Sequence, residues 1–242
     1  MSIDLPPIPP TQEISASLPA AAAESIATAT VPPLESANLS QTRQLVLFEV
    51  EQCAACQQFK RDIVATWQAP VPLARSLRFD APNGWILEKP LIATPTLVLF
   101  EQGREVSRYT GYDGDAARFW AWLGGQLLSP EARKIAFEHG TERAFTGSLL
   151  DEKRSGTFID SITGAALFRS ETKFDSGSGW PSFFNPVAGA VTFHEDVSYG
   201  MRRVEVRSAS SGIHLGHVFD DGPPPTHKRY CINSQVLRFV PD

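Results

Sequence analysis

The chain has 242 residues, 42% of them hydrophobic and 20% charged, which suits one or two domains with real cores. Its 22 basic and 27 acidic residues give a net charge of −5, which argues against nucleic acid as a partner. No run approaches the roughly 18 apolar residues of a membrane span. Three cysteines are too few, and odd in number, for a disulfide framework, and they cannot supply a four-thiolate zinc site. They are not scattered, however: Cys53 and Cys56 form one C-x-x-C, and Cys231 stands alone near the C-terminus.

Residues 1–42 carry seven prolines, a run Ala20–Ala23, no aromatic residue and, before Arg43, no Lys or Arg. Such a segment buries too little apolar surface to offset its ordering entropy and is expected to be a disordered tail. It has neither the basic start nor the continuous apolar stretch of an ordinary signal peptide. Its acids, Asp4, Glu13, Glu24 and Glu35, hold most of the charge excess, so the remainder is nearly neutral.

Leu45 to Val50 then predicts a buried strand. Cys53-Ala-Ala-Cys56 opens a helix expected to run to about Trp67, and Ser76 to Phe79 suits a second strand. Thr94-Pro95 precedes a strand over Thr96 to Phe100. Glu101-Gln-Gly-Arg104 is a hairpin connection, and Glu105 to Thr110 is the returning strand. Asp113 to about Leu127 predicts an amphipathic helix. Leu128-Ser129 is a short link to the next helix. Ser129-Pro130 reads as an N-cap with proline at the first helical position, and Gly140 as the stop after about His139. Beyond Thr146, short strand-like runs alternate with Gly, Ser, Pro and Asp clusters, as in an all-β domain.

A thiol at a helix N-terminus feels the positive end of the backbone dipole, which favours the thiolate. A second cysteine three residues on can close a disulfide and release whatever the first attacked. Strand, C-x-x-C, helix and a later Thr94-Pro95 resemble the thioredoxin family over about residues 43–127. That resemblance implies an α/β thioredoxin-like fold in which Pro95 is cis and faces the dithiol Cys53/Cys56. The sequence departs from it at Gln52 and Ala54-Ala55, where Trp and Gly-Pro are usual, and at Leu47, where a buried Asp is usual.

Three stretches near the C-terminus carry further chemistry: Lys173 to Phe183, Gly212 to Pro223, and Arg229-Tyr-Cys231-Ile-Asn233. Arg229 is a cation beside a lone thiol. His214 and His217 would face opposite sides of a regular strand, and Gly216 permits a bend that aims both at one site. Imidazole can donate a proton near neutral pH. Trp180 sits on a turn between Gly179 and Pro181. The ordinary alternatives are a buried small thiol, a core Trp and structural histidines.

These stretches, with Gly140-Thr-Glu-Arg143, Phe145-Thr-Gly147, Glu171 to Ser176, Gly179-Trp-Pro-Ser182, His214-Leu-Gly-His217, Val218 to Pro223 and Arg229 to Asn233, resemble the methionine sulfoxide reductase B family from about Ser129 to Pro241. The resemblance implies a mainly-β fold of two antiparallel sheets over residues 128–242 and reduction of the R epimer of peptide-bound methionine sulfoxide. By that likeness Cys231 attacks the sulfoxide sulfur and becomes a sulfenic acid. His217, with His214 nearby, protonates the departing oxygen. Asp221 and Asn233 orient the site, Arg229 favours the thiolate, and Trp180 holds the substrate's methyl group.

Two departures from that family define the chain. The positions where many members bind structural zinc hold Asp160, Thr163, Ser208 and Ser211, a poor zinc donor set, so no metal cofactor is expected. Ser178 stands where many members carry the resolving cysteine. The expectation is that the dithiol Cys53/Cys56 reduces Cys231, within or between chains, and is itself reset by an external thiol reductant. The partners are then oxidised proteins and that reductant, in the cytoplasm by default or in a bacterial periplasm. A redox-sensing or docking protein with a decayed reductase module, and a general thiol–disulfide reductase, are the alternatives.

Overall fold

The computed structural model describes residues 39–40 and 42–242; the stretch read as a tail, apart from residues 39, 40 and 42, lies outside the described residues. The chain begins with β1 (Gln44–Phe48), α1 (Ala54–Asp62), β2 (Leu73–Ser76), β3 (Thr96–Glu101), β4 (Arg104–Thr110) and α2 (Ala116–Leu127). The strands form one sheet in the order β2-β1-β3-β4, with β1 parallel to β2 and antiparallel to β3. The continuous apolar run of β1 is explained by burial on both faces. Leu45 and Leu47, with Leu97 and Leu99 of β3, pack toward Phe59 of α1 and Phe119 of α2. Val46, Phe48, Val98 and Phe100 point the other way, against Trp85, Leu87 and Leu91.

Two expected boundaries move. The second strand is Leu73–Ser76 rather than Ser76 to Phe79; Leu77 and Phe79 are exposed, while Leu73 and Ala74 are buried beside β1. Helix α1 ends at Asp62 rather than near Trp67. The β-branched residues after it, Ile63, Val64 and Thr66, disfavour continued α-helix, and Val64–Thr66 tightens into a 3-10 turn. The hairpin between β3 and β4 turns through Gln102 and Gly103, both with positive φ.

Helix α3 (Pro130–Glu138) starts two residues after α2, with the Ser129 hydroxyl accepting the Ala132 N–H at 3.1 Å. It ends on His139, which itself takes the left-handed conformation, ahead of Gly140. The rest is mainly β: β5 (Gly156–Asp160), β6 (Ala166–Arg169), β7 (Lys173–Phe174), β8 (Ser182–Phe183), β9 (Val191–Asp196), β10 (Arg203–Ser208), β11 (His214–Phe219), β12 (Arg229–Ile232) and β13 (Leu237–Pro241). They build two antiparallel sheets, β7-β8-β12-β11-β10-β9 and β13-β5-β6, as expected.

The α/β half and the β half share one apolar core cluster. Gly124 of α2 lies so close to Ile162 and Phe137 that a Cβ there would collide with both, and Gly164 lies against the backbone of Gln68. The contact therefore uses Gln68, beyond the turn that follows α1, the C-terminal end of α2, and the segment 70–72 that leads into β2. A cavity of about 740 Å³ remains in this seam, lined by Arg43, Pro72, Leu128, Ser161, Ser234 and Arg238 among others.

Candidate active site

Cys231 lies in the middle of β12, where its cross-strand partner on β11 is His217. Directly opposed residues on neighbouring strands present their side chains to the same face, about 5 Å apart at Cβ. Thiol and imidazole therefore meet by register. Both line a pocket of about 130 Å³ with Thr141, Trp180, Arg203, Gly216, Phe219 and Asn233. Gly216 is required there by space: a Cβ would strike the carbonyl oxygen of Cys231.

Burial pushes the Cys231 thiol above its ordinary value, against the opposing pull of Ser178 and Arg229. Arg229 pulls the thiol toward thiolate, but desolvation outweighs it. Arg229 is held by Asp221 through a two-pronged contact, 2.9 Å on each arm, and its guanidinium lies 4.5 Å from the Phe219 ring centroid. Asp221 thus touches the site through Arg229. The Ser178 hydroxyl lies 3.9 Å from the Cys231 sulfur.

Trp180 is half-buried, and its indole N–H donates to the Glu142 carbonyl at 3.1 Å, which fixes the ring as one pocket wall. Asn233 is spent on backbone: its Oδ1 accepts the Glu142 N–H at 3.0 Å and its Nδ2 donates to the Leu215 carbonyl at 2.9 Å. It fixes the pocket floor and joins three segments. The Glu142 carboxylate in turn accepts the N–H groups of Ser234 and Gln235.

His217 contacts the Asp196 carboxylate through Nε2 at 2.7 Å, and Arg203 contacts the same oxygen at 2.7 Å. Hydrogen bonds from Ser198, then from His217, hold the Asp196 carboxyl well below the usual carboxylate range. His214 is fully buried and sits outside the pocket lining, its ring centroid 5.4 Å from that of His217. The register shift at Leu215, between His214 and Gly216, rather than a bend at Gly216, brings the two rings to one side of β11, and only His217 lies on the pocket. His214 Nδ1 meets Glu205 Oε1 at 2.6 Å, and His139 Nδ1 meets the same oxygen at 2.7 Å. Burial pushes the Glu205 carboxyl up, but bonds from Arg207, His214 and His139 outweigh it and bring it down to about 2. Burial likewise lowers His214.

Asp196, Glu205, His139 and Glu142 are site residues that sequence reasoning missed. His139, Glu205 and His214 offer ligand atoms within 4.8 Å of one another. Both imidazole nitrogens are already bonded to one Glu205 oxygen, and Arg207 caps the other.

The four positions compared with a zinc site are knit together by hydrogen bonds. Asp160 Oδ1 accepts the N–H groups of Ile162 and Thr163, and Oδ2 accepts the Ser211 hydroxyl at 2.5 Å. Ser210 bridges Thr163 at 2.8 Å and Ser208 at 3.0 Å. This cluster ties the β5–β6 turn to the β10–β11 turn.

The second sulfur centre lies in the α/β half. Cys53 is the N-cap of α1 and its sulfur accepts the Cys56 N–H at 3.0 Å. The two cysteines are joined in a disulfide, with Cys53 half-buried and Cys56 fully buried. The Thr94-Pro95 bond is cis, and the Thr94 hydroxyl lies 3.6 Å from Cys53 Sγ. Just beyond β1, buried Glu49 pairs with Lys60 at 3.0 Å and Arg75 at 3.1 Å. Among the described residues no helix is long and apolar enough to cross a membrane.

Comparison with known proteins assigns both halves. Residues 128–241 match the SelR domain and residues 33–126 a thioredoxin-like domain. A peptide methionine sulfoxide reductase MsrB of Agrobacterium fabrum is 53% identical over 117 residues, which are 48% of this chain and 87% of that protein. One from Escherichia coli K12 is 54% identical over 107 residues, 44% of this chain and 78% of that one. The mitochondrial methionine-R-sulfoxide reductase B3 of Mus musculus is 51% identical over 115 residues, 47% of this chain and 46% of that protein. Among solved structures, the reduced periplasmic thioredoxin SoxS of Paracoccus pantotrophus aligns with 34% of this chain and 93% of its own, at 31% identity and a TM-score of 0.31.

Proposed function

Because the chain belongs to the methionine sulfoxide reductase B family, with a thioredoxin-like domain fused ahead of the reductase domain, we propose that it reduces the R epimer of peptide-bound methionine sulfoxide and renews its own active site through Cys53 and Cys56. The observation that carries this reading is the cross-strand pair His217 and Cys231, opening with Trp180 on one small pocket. The methyl group of the sulfoxide packs on the indole. Cys231 attacks the sulfoxide sulfur. His217, held by Asp196, supplies the proton that the oxygen needs. Methionine leaves, and Cys231 remains as a sulfenic acid.

Ser178 cannot condense with that acid. A thiol can. Cys53, the more exposed of the pair, forms a disulfide with Cys231 and releases water. Cys56 then displaces Cys231 and closes the 53–56 disulfide, which an external dithiol reopens. Turnover of separate R and S peptide sulfoxides by the full chain tests the reading. Activity on the S epimer alone, or none with dithiothreitol, overturns it. The accessible Cys53 also supports general thiol–disulfide reduction. In that case insulin reduction by the Cys231→Ser variant would match wild type while sulfoxide turnover is absent from both.

Asp160, Thr163, Ser208 and Ser211 support folding without zinc, since the one carboxylate among them already accepts three hydrogen bonds. One tightly held zinc per chain in the purified protein would sink this. We place the protein in the cytoplasm, where free thiols persist; recovery with periplasmic markers on fractionation would reverse that.

A further inference from the structure

The dithiol and the contact with the reductase half sit at opposite ends of the thioredoxin-like half. The dithiol lies at the C-terminal end of β1 and the N-terminal end of α1, beside cis-Pro95 at the start of β3. The contact with the reductase half lies at the other end. It uses Gln68, beyond the C-terminus of α1, Pro70 to Pro72, which lead into β2, and Gly124 to Leu128, where α2 ends. The register agrees: Gln44 pairs with Phe100 at the contact end, and Phe48 with Thr96 at the dithiol end. From Cys53 to the end of α1 is about 15 Å of helix at 1.5 Å per residue. The catalytic pocket contains no residue of the thioredoxin-like half. Sulfur atoms that must bond to each other are therefore kept apart by the body of a domain.

Domains joined by a small polar interface swing freely, but a large apolar one restrains them. Here one apolar core runs through both halves, and close-packed Gly124 and Gly164 lock the seam. Only Leu128 and Ser129 lie between α2 and α3.

An exposed apolar residue nonetheless stands near each centre. Ile92, two residues before Thr94, is 87% exposed, and Phe145, packed over Gly179 beside Trp180, is 69% exposed. We infer that the electrons pass between two copies of this chain: the dithiol end of one docks on the catalytic rim of another. The Cys53 thiolate of the first attacks the Cys231 sulfenic acid of the second, an interchain S–S bond forms, and the oxygen leaves as hydroxide, which takes up a proton to become water. Cys56 of the first then attacks Cys53, expelling Cys231 as thiolate and leaving an oxidised donor. This rests on the proposed reading that Cys53 and Cys56 reduce Cys231.

The test uses full chains, reduced, freed of reductant and given a peptide methionine sulfoxide. A donor lacking Cys56 and Cys231 (both →Ser) is mixed with an acceptor lacking Cys53 and Cys56 (both →Ser). An interchain Cys53–Cys231 disulfide at twice the chain mass is expected. In the wild-type chain, closure of the 53–56 disulfide should speed up about tenfold for a tenfold rise in concentration, as a reaction between molecules does. A Cys56→Ser monomer with an internal 53–231 disulfide, or a closure rate independent of concentration, overturns the interchain route while leaving the transfer chemistry standing. If neither crosslink forms while methionine is still produced, the transfer itself fails, and this inference with it.

Discussion

The two sulfur centres solve the same chemical problem in different ways. Cys53 caps a helix, so its activation comes from backbone: the Cys56 N–H points at its sulfur and the helix dipole adds to it. Cys231 sits in mid-strand, where no such dipole is available. Its neighbours are side chains, and burial raises its thiol despite Arg229. Once its disulfide is opened, a backbone-activated thiol needs no side chain to complete it. One that is desolvated is restrained until substrate and the surrounding charges complete the site.

The sharpest way to break the comparison is to remove one thiol at a time. Cys231→Ser should lower sulfoxide reduction by more than about a thousandfold while the 53–56 disulfide is still reduced by an added dithiol. Both are read from one protein by methionine release and thiol titration. The second break moves the resolving role. With Cys53 and Cys56 replaced by Ser, turnover driven by a protein dithiol should fall to about one methionine per chain. Adding Ser178→Cys to that variant should restore repeated turnover, because the hydroxyl already lies 3.9 Å from the sulfur. If the restored enzyme also stops after one methionine, the serine is not what makes the dithiol necessary.

Side-chain activation can be weakened in steps. His217→Asn should cut kcat/KM by about a hundredfold to ten-thousandfold, the usual worth of a positioned acid. Asp196→Asn should cost less and shift the profile. Because Arg229 opposes the burial effect on Cys231, Arg229→Ala should move the rising limb of the pH–rate profile to higher pH. The Cys53 reaction should not shift in either variant.

The smallest effects concern the frame. Asp160→Ala leaves two backbone N–H groups and the Ser211 hydroxyl without their acceptor, which should cost about 1–3 kcal/mol in thermal unfolding; a chelator should leave the wild-type Tm unchanged. Glu205 is depressed from 4.5 to about 2. Its stabilisation is present above pH 4.5 and lost as pH falls toward about 2, so Glu205→Gln should flatten the acid limb of stability over that window.

Much of the molecule was legible in sequence because the signals are local. Strand, C-x-x-C and helix lie close together in the chain, Thr94-Pro95 marks the facing loop, and His217 and Cys231 fall in recognisable stretches. Ser129-Pro130 announces its own helix. What was missed depends on distant partners. Asp196 meets a histidine 21 residues on, and Glu142 holds the backbone of Ser234, 92 residues away. No spacing rule links such pairs; only the folded chain brings them together. The misplaced second strand has another cause. Ser76 to Phe79 alternates like a half-buried strand, yet sheet pairing selects Leu73–Ser76, where both apolar residues find β1.

The two-residue joint between α2 and α3 has a consequence at the scale of the cell. A longer, looser connection would let each molecule restore itself, and repair would scale with the number of molecules. On the interchain route inferred above, regeneration requires an encounter, so when it limits the rate repair capacity would grow with the square of abundance. Modest induction under oxidant would then yield a disproportionate response, and a few stray copies would do almost nothing.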